Sequence, residues 1–137
     1  MMNLPPGLAA LVVKNGVSLG LLGEADRALV LAFASSVLKA SREYRESDVN
    51  RLLEAWLDGA GAMLRANHVE LRRWLVDAGF VVRDGFGRGY VRGPAETARA
   101  IAQLGARSVS GLDAAVAGLR AAKAAERETK RLAYADH

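Results

Sequence analysis

One hundred and thirty-seven residues, 51% hydrophobic and 25% charged, describe one globular domain, or one domain with an appendage, and not a disordered chain. The absence of cysteine excludes disulfides, thiolate metal sites and thiol catalysis, and two histidines, His68 and His137, are too few for a multi-histidine zinc site. A formal charge of +4 and an isoelectric point near 9.8 favour an anionic partner without requiring one.

The first apolar run, Leu8 to Val13, follows Pro5-Pro6-Gly7 and stops at Asn15-Gly16. It falls well short of the roughly 20 residues a membrane helix needs. No basic region precedes it and no clean small-residue cleavage site follows, so the protein reads as cytosolic. The run is compatible with a short helix or a strand. Gly20 and Gly23 then bracket a turn.

A helix begins at Glu24, with Ala25, Leu29, Val30, Phe33, Val37 and Leu38 on one apolar face. Arg42 to Ser47 is polar and loop-like, with Tyr44 as a packing anchor. Ser47 is a suitable N-cap, and Asp48 suits the first turn of the next helix. That helix carries Val49, Leu52, Leu53, Trp56 and Leu57, with a possible continuation through Ala60, Met63 and Leu64 that Gly59 and Gly61 oppose. Asn67 with Glu70 resembles a capping box for a third helix, whose inner face is Leu71, Trp74, Leu75 and Ala78 and whose natural stop is Gly79. Phe80 to Arg83 and Tyr90 to Arg92 flank a glycine-rich tip, Asp84 to Gly89, and read as a β-hairpin. Pro94 suits the start of a helix over Ala95 to Leu104, which Gly105 ends. Ser108 to Ser110 opens a last helix reaching about Tyr134. Its stripe is Leu112, Val116 and Leu119, then mostly alanine, and it is highly charged beyond Ala122. So thin a seam fits a homodimeric coiled coil or packing on its own domain equally well.

Helix, loop, helix, helix, hairpin is the order of a winged helix-turn-helix. In that fold the third helix enters the DNA major groove and the hairpin wing reaches phosphates or the minor groove. The third helix carries His68, Arg72 and Arg73; the wing carries Arg83, Arg88 and Arg92. Residues 65–92 hold six arginines (65, 72, 73, 83, 88, 92) against Glu70, Asp77 and Asp84, so +3 of the total +4 lies in this segment. Guanidinium groups grip phosphate bidentately and pair with guanine.

These residues resemble a bacterial family known as the domain of unknown function numbered 2087. Tyr44, Glu46, Asp48, Val49 and Asn50 are similar to its opening segment. Leu71, Arg72, Arg73, Leu75, Val76, Asp77 and Gly79 are similar to its central signature. Arg83, Gly87 or Gly89, Tyr90 and Arg92 are similar to its closing one. The resemblance spans roughly Glu24 to Arg92 and implies a winged-helix-like, nucleic-acid-binding domain. Two departures are visible: the stretch from Asn50 to Leu71 is longer than the family pattern, and Asn67 stands where an acidic residue is expected.

Competing readings are weaker. Gly85-x-Gly87-x-Gly89 leads into a strand, whereas a dinucleotide loop leads into a helix. His68-x-Glu70 lacks the Pro-Cys-x-x-Cys partner of zinc deaminases. No Ser, His and Asp set reads as a triad. The outward face of the third helix would be Val69, Arg73 and Val76, with Arg72 at its edge, a face equally suited to thymine methyls or to a protein partner. One arginine of the pair could instead bond Asp77 or Asp48.

The expectation is a mainly α protein with a small β-hairpin, a winged helix-turn-helix with helical N- and C-terminal extensions. Its parts are an extension over 1–22, the winged-helix-like domain over 23–93 and a helical extension over 94–137. It would bind double-stranded DNA as a transcriptional regulator, without enzymatic activity, cofactor or metal, and as a homodimer through the C-terminal helix. Arg72 and Arg73 would read from the third helix, and Arg65, Arg83, Arg88 and Arg92 would hold phosphates. Trp56, Leu71, Trp74, Leu75 and Phe80 would build the core. The rivals are a protein-interaction module and binding to structured RNA or the ribosome.

Overall fold

A computed structural model describes residues 6–39, 41–84, 89–93 and 109–135. Among them lie α1 (Pro6–Val12), a short 3-10 turn (Leu19–Leu21), α2 (Glu24–Ser35), α3 (Glu46–Asp58), α4 (His68–Asp77), β1 (Val81–Arg83), β2 (Tyr90–Arg92) and α5 (Val109–Ala135). The chain is thus mainly helical with a two-stranded antiparallel hairpin, an order consistent with a winged-helix-like arrangement. The helix expected over Ala95 to Leu104 lies outside the described residues. Among these residues no helix is long and apolar enough to cross a membrane.

The core forms around α2. Its sequence shows a stripe, but every residue from Val30 to Ser35 is buried while Ala25 is exposed. The helix therefore enters the core end-on, and its second half is surrounded on all sides. α1 supplies Leu8, Leu11 and Val12 to the same core, and α5 supplies Val116, so the terminal helices close one continuous interior. Phe33 and Trp56 meet edge to face at its centre, 5.3 Å apart. Arg27 joins the 3-10 turn to α2 by donating to the Leu19 and Leu22 carbonyls. It also lies 5.0 Å over the half-buried Trp74 ring.

Three helix boundaries differ from the sequence reading: α2 ends at Ser35, so Val37 and Leu38 lie in the turns after it, and both ends of α3 differ. α3 starts at Glu46, with Arg45 as its N-cap and no capping side chain, so Ser47 sits inside the first turn. The cause is tertiary: the Glu46 carboxylate is held by Tyr90 and Arg72, which fixes the N-cap two residues before Ser47. At its other end α3 stops at Asp58 and does not continue. Residues 59–64 form tight turns, through Gly61 N–H to the Trp56 carbonyl (2.7 Å) and Leu64 N–H to the Gly61 carbonyl (3.0 Å). Ala60, Met63 and Leu64 are still buried, delivered by turns where the sequence reading had a helix. A parallel bridge between Val17 and Leu64 pins this longer turn to the N-terminal segment. A Cβ at Gly61 would overlap the Trp56 ring, so the turn can close over the indole only with glycine there.

Gly61→Ala is expected to lower stability by about 1–3 kcal/mol through overpacking. Gly118→Ala, on an open face of α5, should raise it by about 0.5–1 kcal/mol. Thermal melts of the two variants should shift in opposite directions; shifts of the same sign would contradict this packing of Trp56.

Candidate nucleic-acid interface

α4 is defined at both ends by local chemistry. The Asn67 side-chain oxygen accepts from the Glu70 N–H at 2.9 Å, the N-cap half of the expected box. At the C-terminus Gly79 takes a left-handed φ of 81°. Its N–H then bonds the Val76 carbonyl (3.1 Å) and the Phe80 N–H bonds that of Leu75 (2.9 Å), a Schellman closure. Leu71 and Leu75 are buried, Trp74 and Val76 are half-buried against the core, and Val69, Arg73 and Asp77 turn outward.

The reversal after Gly79 sends the chain directly into β1. Val81 pairs with Arg92, Val82 with Val91 and Arg83 with Tyr90. Tyr44 adds a third rung, exchanging backbone hydrogen bonds of 2.8 Å with Tyr90, while its hydroxyl accepts from the Lys39 N–H at 2.9 Å. The anchor expected at Tyr44 is thus an edge of the hairpin as well as a packing residue. Gly93 passes so close to Gly79 that a Cβ would strike the Gly79 carbonyl. The hairpin is therefore seated against the end of α4.

The six arginines divide by where their guanidinium groups go. Arg72 turns back onto α3, donating to the Asn50 side chain and lying 3.5 Å from Glu46, with its guanidinium over the Tyr90 ring. Tyr90 donates its hydroxyl to Glu46 at 3.0 Å; burial, then this bond, raises its pKa above the ordinary value. Arg92 folds inward and donates to the Leu38 and Ser36 carbonyls just beyond α2. Burial lowers its pKa, and its Nε is enclosed without a partner. Arg88 lies outside the described residues. Arg65, Arg73 and Arg83 are exposed, and among the described residues none has a hydrogen bond or ion pair from its side chain.

Arg73 and Arg83 converge. With Val69, Val76, Asp77 and the inner edge of Arg72 they line an open cleft of about 250 Å³ between α4 and the hairpin, with Tyr90 behind. Two free cations face a single carboxylate there, so the cleft is positive in balance. Val69, 42% exposed, adds apolar surface to it. Arg65 stands apart, in the turn before α4, its backbone N–H bonded to the Val17 carbonyl at 2.8 Å. His68, the other polar residue at the start of α4, pairs with Glu54 of α3 at 3.2 Å.

Sequence reasoning expected both Arg72 and Arg73 to read from the helix and weighed an internal bond to Asp77 or Asp48 only as an alternative; Arg72 does bond inside the fold, but to other acceptors. Asp48 is occupied by Arg51 at 2.6 Å, and Asp77 stays exposed. Glu46 and Asn50 are the partners, and their i, i+4 spacing on one face of α3 is the signal that was available. Arg120 was missed altogether. It reaches from α5 to the carbonyls of Val12 (2.9 Å), Gly59 (2.8 Å) and Ala60 (2.9 Å), and backbone acceptors leave no mark in a sequence.

Three helices followed by a seated hairpin, with an arginine cleft between the last helix and the first strand, define a small helical domain with a wing-like hairpin. The chain belongs to the family described as an uncharacterized protein conserved in bacteria, the domain of unknown function numbered 2087, whose model matches residues 23–92. No curated protein and no solved structure matches it.

The division of arginines has a direct test in urea unfolding. Arg72→Ala and Arg92→Ala should each lower stability by about 1–3 kcal/mol, Arg72→Ala by breaking the partly buried link from α4 to Asn50 and Glu46 and Arg92→Ala by leaving the carbonyl of the buried Leu38 unpaired. Arg73→Ala and Arg83→Ala should stay within about 0.5 kcal/mol of the parent. Equal losses from all four would remove the distinction.

Proposed function

We propose that the protein binds double-stranded DNA through the outer face of α4 and the hairpin, and regulates transcription in bacteria. One observation carries the reading: Arg73 and Arg83, unengaged by the fold, converge on one open cleft. Arg73 sits where a helix in the major groove presents its side chains, and Val69 and Val76 flank it as contacts for thymine methyls. Arg83 on the hairpin, and Arg65 before α4, are phosphate contacts at either side. Arg72 acts by holding α4 on α3, and Arg92 by seating the hairpin. Homodimerisation belongs to the same proposal: beyond Ala121 the rest of α5 is largely exposed, with Leu132 at 52% and Tyr134 at 83%, and offers a seam to a second copy.

The second reading, a protein-interaction module, draws support from the exposed Val69 in the cleft. Fluorescence anisotropy with mixed-sequence duplex DNA and a folded RNA, at low and moderate salt, separates the two. Two phosphate-facing arginines per protomer, Arg65 and Arg83, imply a log–log salt slope of about −2. Arg73→Ala/Arg83→Ala should lower affinity at least about tenfold and flatten that slope by about one, through the loss of Arg83. A preference for the folded RNA would move the substrate to RNA. Absence of binding at low salt would leave the protein-interaction reading. Sedimentation equilibrium should return twice the 14.6 kDa chain mass, and a monomer would remove the dimer.

A further inference from the structure

The second half of α5 stands clear of the domain as an arm. From Ala121 to Tyr134 every residue but Lys123 is exposed, a stretch of roughly 20 Å at about 1.5 Å per residue. Helices in proteins draw most of their stability from packing one face, yet this arm leaves Leu132 and Tyr134 in solvent.

The first half of the same helix borders an open concavity of about 520 Å³ beside Trp56, between α3, the turn after it and α5. Leu52 and Val116 form its floor, and the exposed Ala55, Ala62 and Ala117 its rim. Small rim side chains let a second backbone approach closely, so the groove suits a helix.

Charge selects which helix. Asp113, Ala117, Ala124 and Arg131 recur at four and seven residues and so share one side of α5. The groove end of that side carries Asp113, exposed and without a side-chain partner among the described residues, and Asp58 of α3 lines the groove with it. The arm end carries Arg127, also without a partner among the described residues, and Arg131, whose exposed pair with Glu128 contributes little. Arg120 lies between the two ends and is engaged inward by the Val12, Gly59 and Ala60 carbonyls. One helix is thus acidic at its groove end and basic at its arm. A parallel pair would set Asp113 against Asp113 and Arg131 against Arg131. An antiparallel pair sets each against the other and repeats the contact by symmetry.

We infer that two copies of the chain pair through antiparallel α5 helices, the arm of each lying in the groove between α3 and α5 of the other. The inference rests on the homodimer reading and gives that dimer its geometry. The two-fold axis passes near residue 122, midway between 113 and 131. Arg131 meets Asp113 of the other copy, Leu132 reaches the apolar groove, and Arg120 falls opposite Ala124 rather than opposite a second arginine.

The full chain has no cysteine, so single cysteines report the arrangement directly. Ala117→Cys and Glu128→Cys both alter exposed positions. Mixed, the two variants should be joined by a short bismaleimide into a cross-linked dimer, while neither links to itself. Asp113→Arg should weaken the dimer at least about tenfold in sedimentation, and Asp113→Arg/Arg131→Asp should restore it. A parent chain of monomer mass would overturn this inference together with the dimer reading. A dimer in which Ala117→Cys links to itself would overturn the antiparallel arrangement and leave the dimer standing, and so would a charge swap that restores nothing.

Discussion

The fold turns on a single node in which Glu46, Arg72 and Tyr90 meet. Each comes from a different element, α3, α4 and β2, and the three side chains close on one another by a hydroxyl–carboxylate bond, an ion pair and a guanidinium over a ring. Asn50 completes the arginine's coordination one turn along α3. Tyr90 is also the residue through whose backbone Tyr44 joins the hairpin. One position therefore fixes the helix pair and the wing together. A charge network at the edge of a core is worth more than an exposed pair, since its groups are partly desolvated and each removal strands the others.

The node explains why the arginine cluster is a mixed population. A charged side chain with its acceptors inside the fold contributes to geometry. Arg72 and Arg92 are of this kind. Arg73, one residue on from Arg72, points away by the roughly 100° turn per helical residue and is exposed, without a side-chain hydrogen bond or ion pair among the described residues. The same stepping leaves Val69 and Val76 beside it. The surface between α4 and the hairpin thus combines unengaged cations with apolar side chains, on a helix whose position is fixed from behind. Such preorganisation lowers the entropic cost of binding a rigid partner.

Much of the architecture was readable from local signals. The cap at Asn67, the stop at Gly79 and the hairpin on either side of the glycine tip rest on interactions within a few residues, and these appear as read. The readings that differed are those where a distant residue decides. α3 begins at Glu46 because Tyr90 and Arg72 hold it, against the local cap preference of Ser47. Ala60, Met63 and Leu64 carry a helical spacing but are buried by a turn folded over Trp56. Periodicity reports that a residue is inside, not which backbone brings it there. For the candidate site, the location of the positive charge was legible, and the identity of the free arginines was not. That depends on acceptors such as the Leu38 carbonyl and the Asn50 side chain, which become neighbours only in the folded chain.

The terminal helices have a part in this beyond closing the core. Arg120 ties α5 to the end of α1 and to the turn between α3 and α4 through three carbonyls. Those carbonyls belong to a helix end and a turn, where the backbone has no helical partner to offer, and burial depresses the pKa of the guanidinium that replaces it. An arginine remains charged in such a setting, so the bonds are charge-assisted and worth about 1.5–3 kcal/mol each. The turn they hold also carries Leu64, bridged to Val17, and leads through Arg65 into the Asn67 cap of α4. A displacement of α5 would therefore be felt first at Gly59 and Ala60, then along the turn, and then at the N-terminus of the helix that presents Arg73. The appended helices and the arginine face are connected by a short covalent and hydrogen-bonded path, and the cavity beside Trp56 lies against its first step.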